Sequence, residues 1–295
     1  MLRVDQRKLV PMPIFRMSVA LVTRNRPASL KRTLLSLRGQ SVQPFEVVVS
    51  DDSDDQNISA VKSITEQYQC LYLRGPQRGL YANRNHVALA CQGTHIRTMD
   101  DDHEFPAGHF EKCVRALEED AGSIWIIGEY NAGAAGSCPI PPPCPGQLFA
   151  RGFSVAPPNR ENCWAISDGA SIYPRVISDR GIRYAERFKF GAGYLEFGSR
   201  LHWLGYRIRQ LLTTYVIHHF DAKKRSFADP EEDMASRFFA MLCHSYLYQP
   251  TPANKLRSTL EITKELVRHG LVARRALAAA REEFRRHRKS LPAPA

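Results

Sequence analysis

Apolar and polar residues alternate along the first half of the chain in blocks that predict strands and helices in turn. Short apolar runs bounded by polar or turn-forming residues predict buried strands at 18–23, 46–50, 71–73, 95–99 and 123–127. Between them, apolar residues at helical spacing predict helices at 27–37, 59–69, 81–90 and 110–118. Strands that alternate with helices predict an α/β fold with a single, mostly parallel central sheet flanked by helices.

Polar clusters follow three of the predicted strands directly. They are Thr23 to Asn25, the pair Asp51 and Asp52, and the run Asp100 to Asp102. Ligands of parallel sheets bind beyond the carboxyl ends of the strands, so we expect these clusters to share one site. Adjacent carboxylates repel one another when they are partly buried, and oxygen ligands of this kind suit magnesium or manganese. The pattern therefore predicts a divalent cation site.

Two common classes of nucleotide-binding protein are excluded by motifs that the sequence lacks. No G-x-G-x-x-G follows the first strand, and no G-x-x-x-x-G-K-[ST] occurs anywhere in the chain. Neither a dinucleotide-dependent redox enzyme nor a phosphate-loop ATPase is predicted.

The composition is that of a globular protein. The chain has 295 residues, 43% of them hydrophobic, which is enough for one large domain or two small ones. No apolar stretch approaches the roughly 20 residues that span a bilayer, and residues 1–10 carry charges where a signal peptide is apolar. We therefore expect a cytoplasmic protein.

The net charge of +11 is concentrated at the C-terminus. Residues 253–295 contain 11 Lys or Arg against 4 Glu, which leaves +4 for residues 1–252. Leucines and other apolar residues recur there at helical spacing, which predicts one or two basic amphipathic helices. The basic faces are either the solvated side of packed helices or a contact with anionic lipid, which would place the protein at the inner face of a membrane. No nucleic-acid partner is expected.

Four segments in succession resemble the motifs of the inverting family 2 glycosyltransferases, which have the GT-A fold. They are SVALVTRNRP at 18–27, EVVVSDDS at 46–53, GLYANRN at 79–85 and TMDDD at 98–102. The resemblance extends over about residues 17–220. It implies a GT-A domain at 17–222, with a nucleotide-sugar half (17–128) and an acceptor half (129–222). An N-terminal extension (1–16) and the basic helical tail (223–295) would flank it.

The resemblance implies roles for individual residues. Those expected to bind the nucleotide-sugar are Thr23, Asn25, Asp51, Asp52, Arg84, Asp100 and Asp101. The family's metal-binding D-x-D corresponds to Asp100 and Asp102, which would hold Mn2+ or Mg2+ on the diphosphate of the donor. A metal or arginine clamp of this kind takes up the negative charge that develops on a leaving diphosphate.

The acceptor half departs from the family pattern at the position of the general base. The segments at 167–175, 188–201 and 205–208 resemble the family's acceptor-side block, in which a Glu-Asp pair supplies the base. Here Gly193 and Tyr194 stand in the place of that pair, and Glu196 is the nearest acid. Glu196 is the favoured base, with Asp168, in a glycine-flanked turn, as the alternative.

Two adjacent histidines, His218 and His219, follow an apolar run at 213–217. In the family a histidine after the last strand often completes the metal or diphosphate site. We favour His219, although alternation along the strand does not decide which imidazole points inward.

The predicted function is a metal-dependent, inverting transfer of a sugar from a nucleotide-diphosphate sugar to an acceptor hydroxyl. The resemblance suggests cell-surface polysaccharide synthesis or secondary-metabolite glycosylation as the setting. Two alternatives stay open. The chain could be a catalytically silent nucleotide-sugar binder or scaffold, because the usual aspartate is missing at Tyr194, or a sugar-phosphate nucleotidyltransferase on a related sheet.

Overall fold

The computed structural model of the protein describes residues 15–134, 141–220 and 229–291. Almost all of the N-terminal extension expected at 1–16 lies outside these residues, as does the expected boundary at 222/223.

The secondary structure follows the predicted alternation of strands and helices. The strands are β1 (Met17–Thr23), β2 (Glu46–Asp51), β3 (Leu71–Arg74), β4 (His95–Asp100), β5 (His103–Glu104), β6 (Ile124–Asn131), β7 (Gln147–Leu148), β8 (Ser154–Val155), β9 (Ser171–Pro174) and β10 (Ile208–His218). The helices are α1 (Pro27–Arg38), α2 (Asp55–Gln67), α3 (Leu80–Ala90), α4 (His109–Glu119), α5 (Val176–Asp179), α6 (Gly193–Trp203), α7 (Pro230–Cys243) and α8 (Pro252–Ser290).

Eight of the strands form one sheet in the order β3-β2-β1-β4-β9-β6-β10-β5. The pairs β1–β2, β1–β4, β2–β3 and β6–β10 are parallel, whereas β9 runs antiparallel to both of its neighbours and β5 runs antiparallel to β10. The predicted α/β fold with a mostly parallel central sheet is confirmed.

Both faces of the sheet are buried, as β1 shows. Val19 and Leu21 belong to one hydrophobic cluster, and Ala20 and Val22 belong to the other. Because successive side chains of a strand point to opposite faces, a strand that is apolar at every position must be covered on both sides. This is why the strands read as continuous apolar runs in the sequence.

The C-terminal helices form a further layer, which confirms the predicted helical extension. A turn of π-helix (His244–Tyr248) joins α7 to α8, and Phe238 and Phe239 of α7 pack with Ala276 and Ala280 of α8. Helix α8 begins at Pro252, where the Thr251 side chain accepts a hydrogen bond from the Asn254 amide. At Gly270 the backbone leaves the helical region, with φ 50°, so α8 consists of two segments. No helix within the described ranges is long and apolar enough to cross a membrane.

Candidate functional site

The register of the sheet brings the predicted strand ends together. Thr23 of β1 lies beside Asp51 of β2, and Val22 lies beside Asp100 of β4. At the other side of the sheet, His103 of β5 pairs with His218 of β10. Because these strand ends face the same edge, polar side chains from them, among them Thr23, Asp100 and His218, border one cleft.

This cleft has a volume of about 670 Å3, within the range of small-molecule sites. Its polar lining includes Thr23, Arg24, Arg26, Asp52, Asp54, Asn83, Asp100, Asp102, Glu129, Asp168, Lys189 and His218. Apolar side chains contribute as well, among them Phe190, Tyr194 and Phe220. The cleft therefore combines an acidic floor with an apolar rim.

Two arginines offset the negative charge of Asp100, Asp101, Asp102 and Asp168, which we call the acidic floor. Arg26, at the start of α1, lies 2.5 Å from Asp101 and 2.7 Å from Asp102. Arg84, buried on α3, lies 2.8 Å from both Asp100 and Asp168. Burial alone would lower the pKa of Arg84, but these two carboxylates hold the guanidinium charged.

Asp102, His103 and His218 bring potential ligand atoms within 4.8 Å of one another. Oδ1 of Asp102 and both ring nitrogens of His103 are buried without a hydrogen-bond partner, and Oδ1 lies 4.0 Å from Nε2 of His103. That separation is too long for a hydrogen bond, yet one cation with bonds of about 2.1 Å reaches both atoms. Burial lowers the pKa of His103 to about 4, so its imidazole is neutral and can act as a ligand at neutral pH. The residues present fit a divalent cation.

Two further carboxylates in the cleft have raised pKa values. Burial raises the pKa of Glu129 to about 7, although His218 opposes this effect. Burial also raises the pKa of Asp168 to about 6, opposed by the nearby Arg84. A carboxylate whose pKa approaches neutrality is suited to accept a proton from a substrate hydroxyl.

Five of the residues predicted from the sequence line the cleft: Thr23, Asp52, Asp100, Asp102 and Asp168. Arg84 stands just behind this lining and orients Asp100 and Asp168. Asp52 accepts a hydrogen bond from the backbone amide of Gln77, which fixes its carboxylate at the cleft wall.

Asn25, Asp51 and Asp101, which were expected to bind the nucleotide-sugar, lie outside the cleft lining. Asn25 has φ 56° and joins two loops, since its side chain accepts from the Asp54 amide and donates to the Asp54 carboxylate. Asp51 is fully buried and accepts a hydrogen bond from the Ser53 amide. Asp101 is also fully buried and accepts from the Thr23 hydroxyl at 2.6 Å. These three residues support the walls of the cleft.

The structure places His218, and not the favoured His219, beside Asp102 at the cleft. Nε2 of His218 lies 3.4 Å from Asp102, and His218 lines the cleft. His219 is instead 2.7 Å from Glu104, a carboxylate of the edge strand β5. The antiparallel pairing of β5 with β10, which the sequence did not predict, decides which imidazole faces inward.

The structure also argues against Glu196 as the base. Its carboxylate is fully buried on α6, away from the cleft lining, and lies 3.2 Å from both Arg200 and His287. The Tyr248 hydroxyl donates a hydrogen bond to the same carboxylate. Burial alone would raise the pKa of Glu196, but Arg200, His287 and Tyr248 lower it to about 2. Glu196 therefore joins α6 to the C-terminal layer and does not line the cleft.

Sequence reasoning missed several polar residues of the cleft. Glu129 follows the predicted strand 123–127, so the rule that selected the other strand ends also applied to it. His103 adjoins the aspartate run, and Arg26 adjoins Asn25. Lys189 carried no such signal, because its position depends on how the loop before α6 packs against the start of α3.

Comparisons with known proteins agree with this geometry. Residues 18–134 match the family described as "Glycosyl transferase family 2". An uncharacterized glycosyltransferase of Bacillus subtilis (strain 168), YwdF, is 28% identical over 104 residues. These cover 35% of this chain and 38% of YwdF, so the match spans well under half of that relative.

Solved glycosyltransferase structures share the fold at low sequence identity. TarS 1–349 of S. aureus in complex with UDP-GlcNAc is 16% identical, with a TM-score of 0.61 over 91% of this chain and 80% of that one. GalNAc-T7 with UDP, GalNAc and Mn2+ is 13% identical, with a TM-score of 0.62 over 88% and 58%. The mannosyltransferase PcManGT from Pyrobaculum calidifontis, in complex with GDP-Man and Mn2+, is 16% identical, with a TM-score of 0.57 over 97% and 79%. This chain spans 43% of the longer TarS structure.

The fold is GT-A, and residues 18–134 match the glycosyl transferase family 2 model. The GT-A fold and the similarity to this family that the sequence motifs indicated are confirmed.

Replacing Glu196 by Gln should destabilise the protein, because it leaves Arg200 buried without its counter-charge. Breaking a buried pair in this way costs about 3–5 kcal/mol. The pKa of Glu196 is depressed from 4.5 in the unfolded chain to about 2 in the folded one. Its stabilising contribution should thus be complete above pH 4.5 and disappear as the pH falls toward 2. Urea unfolding at several pH values measures both effects.

Glu282→Gln is the matched control, because Glu282 forms an exposed pair with Arg286 on α8 and should change stability by less than about 1 kcal/mol. A Glu196→Gln protein of wild-type stability that cannot turn over substrate would return Glu196 to the role of base.

Gly169→Ala should weaken metal binding while preserving the fold. A Cβ at residue 169 would lie 2.7 Å from Cε1 of His103 and closer still to the Asp100 carboxylate, so the cluster must shift. Displacing groups that orient metal ligands typically costs about 10- to 100-fold in metal affinity. Titration with Mn2+, followed by electron paramagnetic resonance, measures the change. Gly133→Ala, whose Cβ meets nothing within 4 Å, is the control, and equal affinity of both variants would contradict the prediction.

Proposed function

We propose that the protein transfers a sugar from a nucleotide-diphosphate sugar to an acceptor hydroxyl, with inversion and with a divalent cation. One observation carries the proposal. A cleft of about 670 Å3 at the carboxyl edge of a family 2 domain gathers Asp100, Asp102, His218 and Asp168. The complexes of TarS with UDP-GlcNAc and of PcManGT with GDP-Man and Mn2+ support a nucleotide-sugar donor and a metal.

Asp102, His103 and His218 would hold the cation, Mn2+ or Mg2+, together with Asp100 of the D-x-D. Bound there, the cation would neutralise negative charge on the leaving diphosphate. Arg26 borders the same position with a permanent positive charge. Thr23 and Asp52, at the other side of the floor, would face the nucleoside.

Asp168 is the proposed general base. It lines the cleft, Arg84 orients it, and its pKa of about 6 leaves it largely ionised at neutral pH. It would accept the proton of the acceptor hydroxyl as the glycosyl bond breaks. Glu129 is the competing carboxylate in the same cleft.

Silent binding of a nucleotide-sugar is the second candidate function. Tyr194 lines the cleft where the family pattern has its aspartate, and Glu196 cannot replace that group. Turnover of any donor by the wild-type protein excludes this candidate. A nucleotidyltransferase gains no support, since it requires a glycine-rich loop after β1, where this chain has Arg24, Asn25 and Arg26.

We also propose a cytoplasmic location, peripheral at the inner face of a membrane, in line with the basic surplus of the C-terminal residues. Polysaccharide or secondary-metabolite glycosylation remains the proposed setting.

Asp102→Asn should abolish metal-dependent donor binding, because the cation loses a charged oxygen ligand. UDP-, dTDP- and GDP-sugars are screened by thermal shift with and without Mn2+, since a ligand at 100 times its dissociation constant stabilises by about 2.7 kcal/mol. Glu104→Gln, which removes the partner of His219 outside the cleft, should behave as wild type. Donor stabilisation that is the same in Asp102→Asn, or that persists with a chelator, would contradict the metal role.

Asp168→Asn should reduce turnover by roughly 10²- to 10⁴-fold, the usual contribution of a general base. In the wild type, turnover should rise as the pH passes about 6, because the base must be deprotonated, and this acid limb should vanish in the variant. Glu129→Gln should retain the limb. The opposite result, with the limb kept in Asp168→Asn and lost in Glu129→Gln, would assign the base to Glu129.

A further inference from the structure

The first segment of α8, residues 252–269, buries several polar side chains and exposes several apolar ones. Asn254, Ser258 and Glu265 are buried against the rest of the protein. On the opposite side, Leu256 and Leu260 are each 60% exposed and Val267 is 82% exposed. Helices of globular proteins normally bury the apolar stripe and expose the polar one.

The exposed residues form one continuous row along the helix. Leu256, Leu260 and Val267 are spaced by four and seven positions, so they share a face. Leu271, which directly follows the bend at Gly270, is 71% exposed as well. We call these four residues the outward row. After the bend Ala273, Ala276 and Ala280 are fully buried, so most of the exposed large apolar side chains of α8 lie before the bend.

Polar contacts fix the orientation of the first segment. Glu265 lies 3.0 Å from Arg237 of α7, and the Asn254 side chain donates a hydrogen bond to the Gln249 carbonyl. Rotating the helix to bury the outward row would break these contacts and expose Ile262 and Leu266, which pack against the C-terminal cluster. The outward row therefore stays at the surface unless something outside the chain covers it.

The charges beside the outward row indicate what that partner is. The acids of this segment are already engaged, Glu261 with Lys264 and Glu265 with Arg237. Arg268, Arg274 and Arg281 form no ion pair among the described residues. Arg274 and Arg281 border a groove at the bend, together with Leu266, Val267 and Leu277. An apolar row flanked by unpaired arginines matches the interface of an anionic bilayer.

We propose that the first segment of α8 lies in the plane of an anionic membrane surface, with the outward row inserted among the lipids and the neighbouring arginines at the headgroups. The inference rests on the proposed membrane location and names the surface that makes the contact; it does not depend on the transfer reaction. A second copy of the chain fits less well, because it would bring two segments with the same basic surplus together.

Co-sedimentation of the full chain with lipid vesicles tests the proposal. Wild-type protein should bind vesicles of phosphatidylcholine and phosphatidylglycerol and bind pure phosphatidylcholine weakly. The double variant Leu260→Glu, Val267→Glu should bind the anionic vesicles roughly tenfold or more weakly, because it removes two apolar side chains and adds like charge to the interface. Both positions are exposed, so the fold should be unchanged.

A matched control places the same substitutions elsewhere. Leu35 on α1 and Leu89 on α3 are 61% and 50% exposed, and Leu35→Glu, Leu89→Glu should bind vesicles as the wild type does. The variant Arg268→Glu, Arg274→Glu should lose the preference for anionic over neutral vesicles. Equal loss in the control and in the outward-row variant would overturn the proposal, as would a wild type that does not bind.

Two further measurements separate the possible failures. Light scattering after size exclusion would overturn the proposal in favour of a second copy if the wild type is a dimer and the outward-row variant is a monomer. Thermal shift with nucleotide-sugars, on the same preparations, reports the cleft independently. Intact donor binding with absent vesicle binding refutes only the membrane surface, and the reverse result refutes only the proposed reaction.

Discussion

The structure depends on one electrostatic constraint, the concentration of carboxylates at the carboxyl edge of the sheet. Parallel strands deliver Asp100, Asp101 and Asp102 to a place that is largely shielded from water, and the loop before β9 adds Asp168. Carboxylates so close to one another cannot all remain charged unless cations stand among them. Arg26 and Arg84 supply two positive charges, and the unpaired atoms of Asp102 and His103 leave room for a third.

Arg84 in turn depends on the way α3 begins. Gly79 precedes the helix with φ 105°, and a Cβ there would lie 2.6 Å from Cα of Lys189. This close approach allows the Leu80 amide to donate a hydrogen bond to the Lys189 carbonyl at 2.8 Å. The loop that contains Lys189 is thus fastened to the helix whose arginine orients Asp100 and Asp168. The contact between Leu80 and Lys189 therefore influences both the geometry of the acidic floor and the position of the loop that faces it.

The sequence predicted the N-terminal half of the fold well, because its signals are local. Buried parallel strands read as apolar runs, and Asp52, Asp100 and Asp102 follow such runs directly, so their shared location follows from topology.

The differences between the expected and the observed positions of site residues have non-local causes. Whether His218 or His219 faces the cleft depends on β5, a strand of only two residues. Glu104 of this strand contacts His219, which lies 115 positions further along the chain. The burial of Glu196 could not be predicted, because its partners Tyr248 and His287 lie in the C-terminal layer, 52 and 91 residues further on. No local sequence pattern predicts such contacts.

Helix α6 carries a buried ion pair and presents a tyrosine, not an acid, to the cleft. Glu196 and Arg200 hold the helix against the C-terminal layer, while Tyr194 lines the cleft. Burial raises the pKa of Tyr194 to about 12, so its hydroxyl stays protonated at neutral pH and cannot accept a proton. The carboxylates left to do so belong to the sheet side of the cleft, where burial has raised the pKa values of Asp168 and Glu129 toward neutrality. If the chain transfers sugars as proposed, the group that accepts the proton lies on the sheet side of the cleft and not on α6. The charge balance of the floor then controls both the metal and the base.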